Sequence, residues 1–317
     1  MSANVDEPGT RVRQRSGVDA RGLLYGLAAY GSWGIFPAFF PLLKPAGPLE
    51  ILAHRVIWTV LLMAGVLALS RRLGDIRRIN RRTWGLLLCA SALVSSNWLI
   101  YIFAVNSGHV VDAALGYFIN PLVSVVLAAV FFGERLNRGQ SVAVGIAVIA
   151  VLLLSTATGG HPVIAVGLAL TFGLYGAVKK AIQIDPRVSV GMETAIAAPF
   201  ALGYLLVLVH SGHSSFAANG GLHAVLMMLC GPITAIPLLF FASAAQRLPL
   251  VTIGLMQYLT PSMQMAWGLL VGHEAMTLTR WAGFGLIWLA LAVFTTDAIT
   301  RVYRGRRALS GGRNVHE

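Results

Sequence analysis

Apolar residues along this chain fall into ten runs of about twenty residues, separated by short polar segments. A helix of that length crosses the roughly 30 Å hydrocarbon core of a bilayer and satisfies its backbone hydrogen bonds internally. Pro37 and Pro41 interrupt the first run, and the fifth run is short. The pattern predicts transmembrane helices over residues 22–43, 49–69, 84–104, 110–132, 139–156, 162–181, 189–209, 222–245, 250–272 and 279–299.

Two stretches of the sequence repeat each other at an offset of 140 residues. Pro121 corresponds to Pro261 and Glu134 to Glu274, without a gap. Each copy closes a half of five predicted spans, and an odd number of spans turns the second half upside down in the membrane. We therefore expect an all-α membrane protein of ten transmembrane helices arranged as two inverted five-helix repeats. The predicted divisions are a cytoplasmic N-terminal tail (1–21), a first repeat (22–156), a second repeat (157–299) and a cytoplasmic C-terminal tail (300–317).

Basic residues lie almost entirely on one side of the predicted spans. The exceptions are Lys44 and Arg280 on the other side and Arg55 within the second span. Because cytoplasmic loops carry an excess of Lys and Arg, this bias predicts a multi-pass protein of the cell (inner) membrane with both termini in the cytoplasm. The largest basic cluster, residues 71–82, is expected to contact anionic lipid.

Composition narrows the class of protein further. Hydrophobic residues make up 56% of the chain and charged residues only 11%, against about 25% charged in soluble domains. The net charge of +12 sits at membrane edges, so we expect the lipid bilayer and not a nucleic acid as partner. Cys89 and Cys230 lie inside apolar runs, and no Walker A motif occurs. The sequence therefore predicts no metal site, no cofactor and no ATP coupling within the chain.

Ionisable side chains within predicted spans are expensive and mark candidate functional positions. Arg55 is predicted to bind an anionic or carbonyl-bearing substrate. Glu193 is predicted to be a titratable coupling group that alternates between a proton and either the substrate or Lys179 and Lys180. Asp112 is a second candidate coupling residue, and Lys179 a candidate substrate-binding residue. Each has a structural alternative: Lys179 can extend to the interface, Asp112 can favour the start of its helix, and Arg55 and Glu193 can pair with other helices.

Uncharged polar side chains cluster near the middle of three spans. Asn97 lies deep in the third span, Tyr117 and Asn120 precede Pro121 in the fourth, and Gln257 and Tyr258 precede Pro261 in the ninth. A proline frees the carbonyl four residues earlier, here those of Tyr117 and Gln257. We expect these five polar residues to contribute to a substrate site near the midplane. The alternative is interhelical hydrogen bonding that holds the spans together.

An ordered series of short motifs runs through residues 20–300. It comprises Tyr30-x-x-Trp33-Gly34-x-x-Pro37, His54-Arg55-x-x-Trp58, Asn97-Trp98, Leu115-Gly116-Tyr117-Phe118-Ile119-Asn120-Pro121-Leu122, Gly133-Glu134-Arg135, Tyr175-Gly176-x-x-Lys179-Lys180, Glu193-Thr194, Pro237-Leu238, Arg247-Leu248 and Gln257-Tyr258-x-x-Pro261. Taken together the series resembles the RarD branch of the EamA group, within the drug/metabolite transporter superfamily. The resemblance implies an inner-membrane permease with ten helices in two inverted repeats.

The expected function is that of a secondary transporter, a permease that moves a small organic solute or drug-like metabolite by alternating access. A proton is a candidate coupling ion because Glu193 and Asp112 can titrate. The alternative is a lipid-handling protein or an intramembrane enzyme, although the sequence contains neither H-E-x-x-H nor G-x-S-x-G. A channel would need a ring of equivalent residues, which one asymmetric chain does not display. The sequence leaves the natural substrate, the direction of transport, the coupling ion and the oligomeric state open.

Overall fold

A computed structural model of the chain describes residues 19–132, 136–157, 162–245, 247–248, 252 and 256–311. Every regular element in these ranges is helical. The α-helices are α1 (Ala20–Gly34), α2 (Phe36–Phe39), α3 (Pro48–Leu69), α4 (Arg81–Asn106), α5 (Val110–Phe132), α6 (Arg138–Ala157), α7 (Pro162–Ala181), α8 (Pro186–His210), α9 (Gly220–Ala245), α10 (Leu259–Leu270) and α11 (Leu278–Gly311). Short 3₁₀ turns follow α2 at Phe40–Leu43 and precede α4 at Leu73–Arg78.

Polar residues and prolines fix where several helices begin. Asp19 accepts a hydrogen bond from the Arg21 amide at α1, and Asn80 accepts one from the Thr83 amide at α4. Pro48 and Pro186 occupy the first position of α3 and α8, where the missing N–H is not needed. These boundaries lie within a few residues of those that the hydrophobic pattern predicts.

Within the described residues, six helices are long and apolar enough to cross a membrane. A seventh crossing follows if the segment Ala20–Gly34 and the segment Phe36–Leu43, which meet at a bend of 41°, form one span. Two further apolar helical segments, Arg138–Leu154 and Val163–Lys179, are shorter. The chain is therefore a multi-pass helical membrane protein.

The two prolines of the repeat stand in different local structures. Pro121 lies inside the continuous helix α5. Pro261 is the third residue of α10, because the chain turns at Gln257 and Tyr258 and the helix begins at Leu259. A proline in a first helical turn displaces no intrahelical hydrogen bond, so the chain has a turn directly before α10 in place of the expected free carbonyl within a continuous ninth span.

Contacts between helices cross from one predicted half to the other in matched pairs. α1 packs on α9 as α7 packs on α4, α1 packs on α10 as α7 packs on α5, and α3 packs on α9 as α8 packs on α4. Three further contacts, α3 with α8, α5 with α10 and α6 with α11, join corresponding helices directly. The repeat partners Phe118 and Tyr258 stack on each other with ring centroids 6.5 Å apart.

The two ends of the bundle differ in their polar contacts. At the end we call the basic end, Arg72 pairs with Asp185 at 3.0 Å and Asn137 bonds Asp297 at 3.0 Å. At the opposite end, Glu50 accepts hydrogen bonds from the Ser215 amide and hydroxyl, each at 2.8 Å. These contacts fix the ends of the helices, between which the buried polar residues lie.

Candidate functional site

Arg55 lies in the second turn of α3 and is only 4% exposed. Its Nε donates a hydrogen bond to the Thr234 hydroxyl of α9 at 2.8 Å. The two helices approach closely because Gly231 packs against the Trp58 backbone, where an added Cβ would lie 2.6 Å from the Trp58 carbonyl. Among the described residues, Arg55 forms no ion pair with a carboxylate, and Nε is the guanidinium nitrogen with a hydrogen-bond partner.

Aromatic rings surround the Arg55 guanidinium. Its central carbon lies 4.2 Å from the centroid of the Trp98 ring in α4. The rings of Phe36 and Phe40 stand further off, at 5.4 and 5.7 Å. Such cation–π contacts contribute about 0.5–2 kcal/mol each, the upper figure applying to desolvated sites. They hold the guanidinium in place without neutralising its charge.

A polar wall stands beside this cation. The phenols of Tyr101 and Tyr117 lie within electrostatic range of the guanidinium, and their rings are 5.8 Å apart. The Tyr117 hydroxyl donates to Asn97 Oδ1 at 3.2 Å, and Asn97 Nδ2 donates to the Thr171 hydroxyl at 2.9 Å and to the Leu168 carbonyl at 3.1 Å. The structure thus brings three predicted site residues, Arg55, Asn97 and Tyr117, into one group.

Two buried polar atoms in this group lack a hydrogen-bond partner. They are the Tyr101 hydroxyl and Gln264 Oε1, on side chains 3% and 1% exposed. The Gln264 side chain of α10 lies beside Tyr101, and its Nε2 donates to the Trp33 carbonyl at 3.2 Å. We call the set of Arg55, Trp98, Tyr101, Tyr117 and Gln264 the arginine cluster. Buried polar atoms are normally satisfied, so a ligand or water is the natural partner for these two.

Sequence reasoning missed Tyr101, Thr234 and Gln264. A polar side chain in an apolar run was the available signal for Gln264, which follows Pro261 by one turn. Nothing in the sequence distinguished Tyr101 from the other aromatic residues of its run. Thr234 meets Arg55 across 179 residues of chain, a contact that only the packing of α3 on α9 creates.

A second buried polar group surrounds Glu193 in α8. Glu193 is 3% exposed, and its Oε1 lies 2.7 Å from Lys179 Nζ. The Ser189 hydroxyl donates to Oε1 at 2.6 Å and the Tyr175 hydroxyl to Oε2 at 2.8 Å. Lys179 also bonds Ser189, and its side chain is 26% exposed. We call Tyr175, Lys179, Ser189 and Glu193 the glutamate cluster.

The glutamate cluster lies nearer the basic end than Arg55 does. Gly191, two residues before Glu193, packs against Met63 and Leu67 of α3. Met63 is eight residues beyond Arg55, which corresponds to about 12 Å along the axis of α3. At the basic end, hydrogen bonds from Arg187 hold the pKa of Asp185, the N-cap of α8, below its ordinary value. Ionised Asp185 therefore anchors the start of the helix that carries Glu193.

The other predicted site residues lie elsewhere. Asp112 pairs with Arg280 at the opposite end, where both side chains are 13% exposed. Asn120 Oδ1 lies against Gly173 of α7. Gln257 and Tyr258 lie beside each other at the break before α10, and Tyr258 packs on the α5 residue Phe118. The Lys180 side chain and Glu134 fall outside the described residues.

Glu274, the described member of the repeated glutamate pair, lies in the second half and caps a helix of the first half. Its carboxylate accepts the Val110 amide at 2.6 Å and the Val111 amide at 3.0 Å, which are the first amides of α5. An acceptor at this point satisfies donors that the helix itself leaves unpaired. The described residues contain no group of three metal-binding side chains.

The fold and its enclosed polar clusters define a class: multi-pass helical membrane proteins with charged and aromatic side chains between their helices. The EamA-like transporter family matches residues 20–156. The protein named RarD from Streptomyces exfoliatus is 49% identical over 290 residues, which cover 91% of this chain and 92% of that protein. The uncharacterized transporter YojE of Bacillus subtilis is 42% identical over 285 residues, covering 88% and 95% of the two chains. This chain belongs to the RarD-type permeases of the EamA-like transporter family.

A solved crystal structure shares the fold. It is 17% identical in sequence, with a TM-score of 0.57 over 86% of this chain and 96% of the other. At this identity the likeness concerns the path of the helices. The family and the fold agree with the expectation of a helical permease in the membrane.

Proposed function

We propose that this protein is a secondary transporter that moves a small organic solute across the bacterial inner membrane by alternating access. The observation that carries the proposal is the buried Arg55, which no described carboxylate neutralises. An isolated arginine within the hydrocarbon region costs about 2.5–3.5 kcal/mol on insertion scales. A cost of this size is typical of a position kept for its ligand.

The proposed topology is ten spans in two inverted halves, 22–156 and 157–299, with both termini in the cytoplasm. The matched helix contacts support it, because each contact that α1 makes across the halves has a counterpart made by α7. The stacked partners Phe118 and Tyr258 would lie close to the two-fold axis that relates the halves. The excess of basic residues supports a cytoplasmic location for the basic end.

The proposed substrate-binding residues are Arg55 and Tyr117 of the arginine cluster, together with Asn97, which accepts a hydrogen bond from Tyr117. Asn120 precedes Pro121 in the first repeat, and the turn before α10 in the second repeat contains Gln257 and Tyr258. We propose that these three residues contact the solute in a different conformation of the carrier. Discontinuous helices near the midplane are common in such sites. A rearrangement at Gln257 and Tyr258 would shift α10, which contributes Gln264 to the cluster.

The proposed coupling group is Glu193. Its carboxylate is held by Lys179, Ser189 and Tyr175. Protonation would remove the charge that binds Lys179 and would loosen the contact between α7 and α8 near the basic end. Asp112 and Arg280 form a second ion pair at the opposite end, which could open in the alternate state.

Reconstituted transport tests the proposal. The full chain in proteoliposomes is offered labelled organic acids, amines and neutral metabolites, with and without an imposed pH gradient. We expect at least one solute to accumulate, and Glu193→Gln to abolish the response to the pH gradient while Asp75→Asn, in the partly exposed 3₁₀ turn before α4, retains it. Unchanged uptake and pH dependence in Glu193→Gln would contradict the coupling role. Flipping of labelled lipid without movement of any solute would favour the lipid-handling alternative.

A further inference from the structure

We propose that the arginine cluster binds a small organic monocarboxylate that also carries a hydrogen-bond donor. The inference rests on the proposed function, because it names the substrate class of the same site. It goes beyond a general anion site in three respects: the shape of the anion, the number of its charges and the second polar group of the ligand.

The shape follows from how Arg55 is held. Thr234 occupies Nε and Trp98 covers one face of the guanidinium plane. The remaining edge presents the two terminal nitrogens, which have no hydrogen-bond partner among the described residues. A guanidinium edge binds a carboxylate through two parallel hydrogen bonds. A neutral carbonyl would leave the buried charge uncompensated, which is why a carboxylate fits better.

The number of charges follows from the cations nearby. Lys179 is engaged by Glu193 closer to the basic end, and Arg280 by Asp112 at the opposite end. Lys44 is exposed at that same end. Within the described residues, Arg55 is therefore the one cation of the cluster that lacks an anionic partner. A dianion would bring a second negative charge into a low-dielectric site without a counterion.

The second polar group follows from the unpartnered atoms. Gln264 Oε1 can only accept a hydrogen bond, and the Tyr101 hydroxyl can donate or accept. Gln264 Nε2 donates to the Trp33 carbonyl, which fixes the orientation of the amide. In this orientation Oε1 has no hydrogen bond of normal geometry, although the Gln264 side chain interacts with the Tyr101 phenol. An N–H or O–H group on the ligand would satisfy Oε1. Phe36 and Phe40 beside the guanidinium provide an apolar surface for the body of such a ligand.

Equilibrium binding to the purified full chain tests the inference without requiring transport. The probes are matched sets built on several apolar bodies: the monocarboxylate, its amide, the corresponding dicarboxylate and the monocarboxylate with an added hydroxyl. Hydrocinnamate, hydrocinnamamide, phenylsuccinate and phenyllactate form one such set. Ligand-induced thermal stabilisation gives affinity through linkage, and calorimetry checks it. We expect the hydroxylated monocarboxylate to bind tightest and the amide and dicarboxylate at least about tenfold more weakly.

Variants separate the two parts of the site. Arg55→Gln should abolish the preference for carboxylate over amide, and Arg55→Lys should retain a weaker preference because it keeps the charge without the fork. Gln264→Leu should remove the advantage of the added hydroxyl and leave the carboxylate preference intact. Arg82→Gln, at an exposed position, is the matched control and should bind like the parent chain. The Lys and Leu variants keep the test informative if the Gln variant does not fold.

The binding and transport experiments together distinguish failure of this inference from failure of the proposed function. If no monocarboxylate of any body binds better than its amide, or if Arg55→Gln leaves that preference unchanged, the inference is overturned. Transport of a neutral or cationic solute with such a result would leave the proposed function intact. Selective carboxylate binding that depends on Arg55, without transport of any solute, would support the inference and count against the permease mechanism.

Discussion

The arginine cluster and the glutamate cluster are both buried and charged, yet they differ in how their charges are satisfied. Glu193 receives hydrogen bonds from Lys179, Ser189 and Tyr175. Arg55 has Thr234 and aromatic rings, and no described carboxylate. The charge of Glu193 is therefore satisfied by side chains of the protein itself, whereas the charge of Arg55 would be satisfied only by a bound anion.

This difference separates the structural from the ligand-binding use of buried charge. Breaking a satisfied buried pair exposes its partner to an apolar environment, so the glutamate cluster should stabilise the fold as a unit. Removing an unsatisfied charge relieves a cost. Substitutions in the two clusters are therefore expected to change the free energy of unfolding in opposite directions.

The largest effect on stability is expected from Lys179→Met. It leaves the Glu193 carboxylate buried with only hydroxyl donors, at a cost of about 3 kcal/mol, the low end for a broken buried pair because Lys179 keeps some contact with water. Adding Glu193→Gln should restore most of that loss. Denaturation of each variant in detergent gives the measurement, with the exposed Lys44→Met as control. If Lys179→Met alone is as stable as the control, the pair of Lys179 and Glu193 does not stabilise the fold.

A smaller effect of opposite sign is expected from Arg55→Met. A neutral side chain of similar length removes the unpaired charge and keeps an apolar contact with Trp98, so we expect no loss of stability and a gain of up to about 1 kcal/mol. Transport should be lost in the same variant. The same denaturation assay, together with uptake in proteoliposomes, provides the check. A loss of stability comparable to that of Lys179→Met would mean that Arg55 has a structural partner outside the described residues.

The smallest effect concerns Glu274, whose pKa is raised because burial outweighs the hydrogen bonds from the Val110 and Val111 amides. A raised pKa means that the folded chain takes up this proton more readily than the unfolded chain. The contribution to stability is therefore fully present below the ordinary value of 4.5 and is lost as pH rises through the folded pKa. As pH rises from below 4.5, the melting temperature of the parent chain should fall, and that of Glu274→Gln should not show this fall.

Equal slopes in the two proteins would contradict the assignment to Glu274. Glu274 is partly exposed, unlike Arg55 and Glu193, so its charge should change the free energy of unfolding least of the three. It caps a helix, and neutral glutamine can still accept one of the two amides.

Hydrophobic length predicts the helices well where a run is uninterrupted. The second run was expected over 49–69 and the helix spans Pro48–Leu69. The first run was expected as one span, and a bend of 41° divides it because Pro37 and Pro41 cannot continue a regular helix. The ninth run likewise contains a break at Gln257 and Tyr258 that a hydropathy pattern does not register.

For the candidate site, charged residues within apolar runs could be found from the sequence, but the packing of helices that brings the other residues to them could not. Arg55 and Glu193 stand out because charge within an apolar run is costly. Lys179 was named from the sequence as a partner of Glu193, and the structure contains that ion pair. Gln264, by contrast, joins the arginine cluster only because α10 packs beside α1. Contacts between residues far apart in the chain carry no local sequence pattern, so the cluster as a whole could not be assembled from the sequence.

The cross-packing of the halves has a consequence for how the chain is made. α1 leaves the ribosome first, and its main packing partners are α9 and α10, near the end of the chain. During synthesis, α1 must therefore remain in the bilayer with its packing face against lipid or insertion machinery until those helices arrive. The family model matches residues 20–156. This segment does not form a separately packed domain, because its helices pack against helices of the second half. A chain cut short before α9 would leave Arg55 without Thr234 and the arginine cluster unassembled.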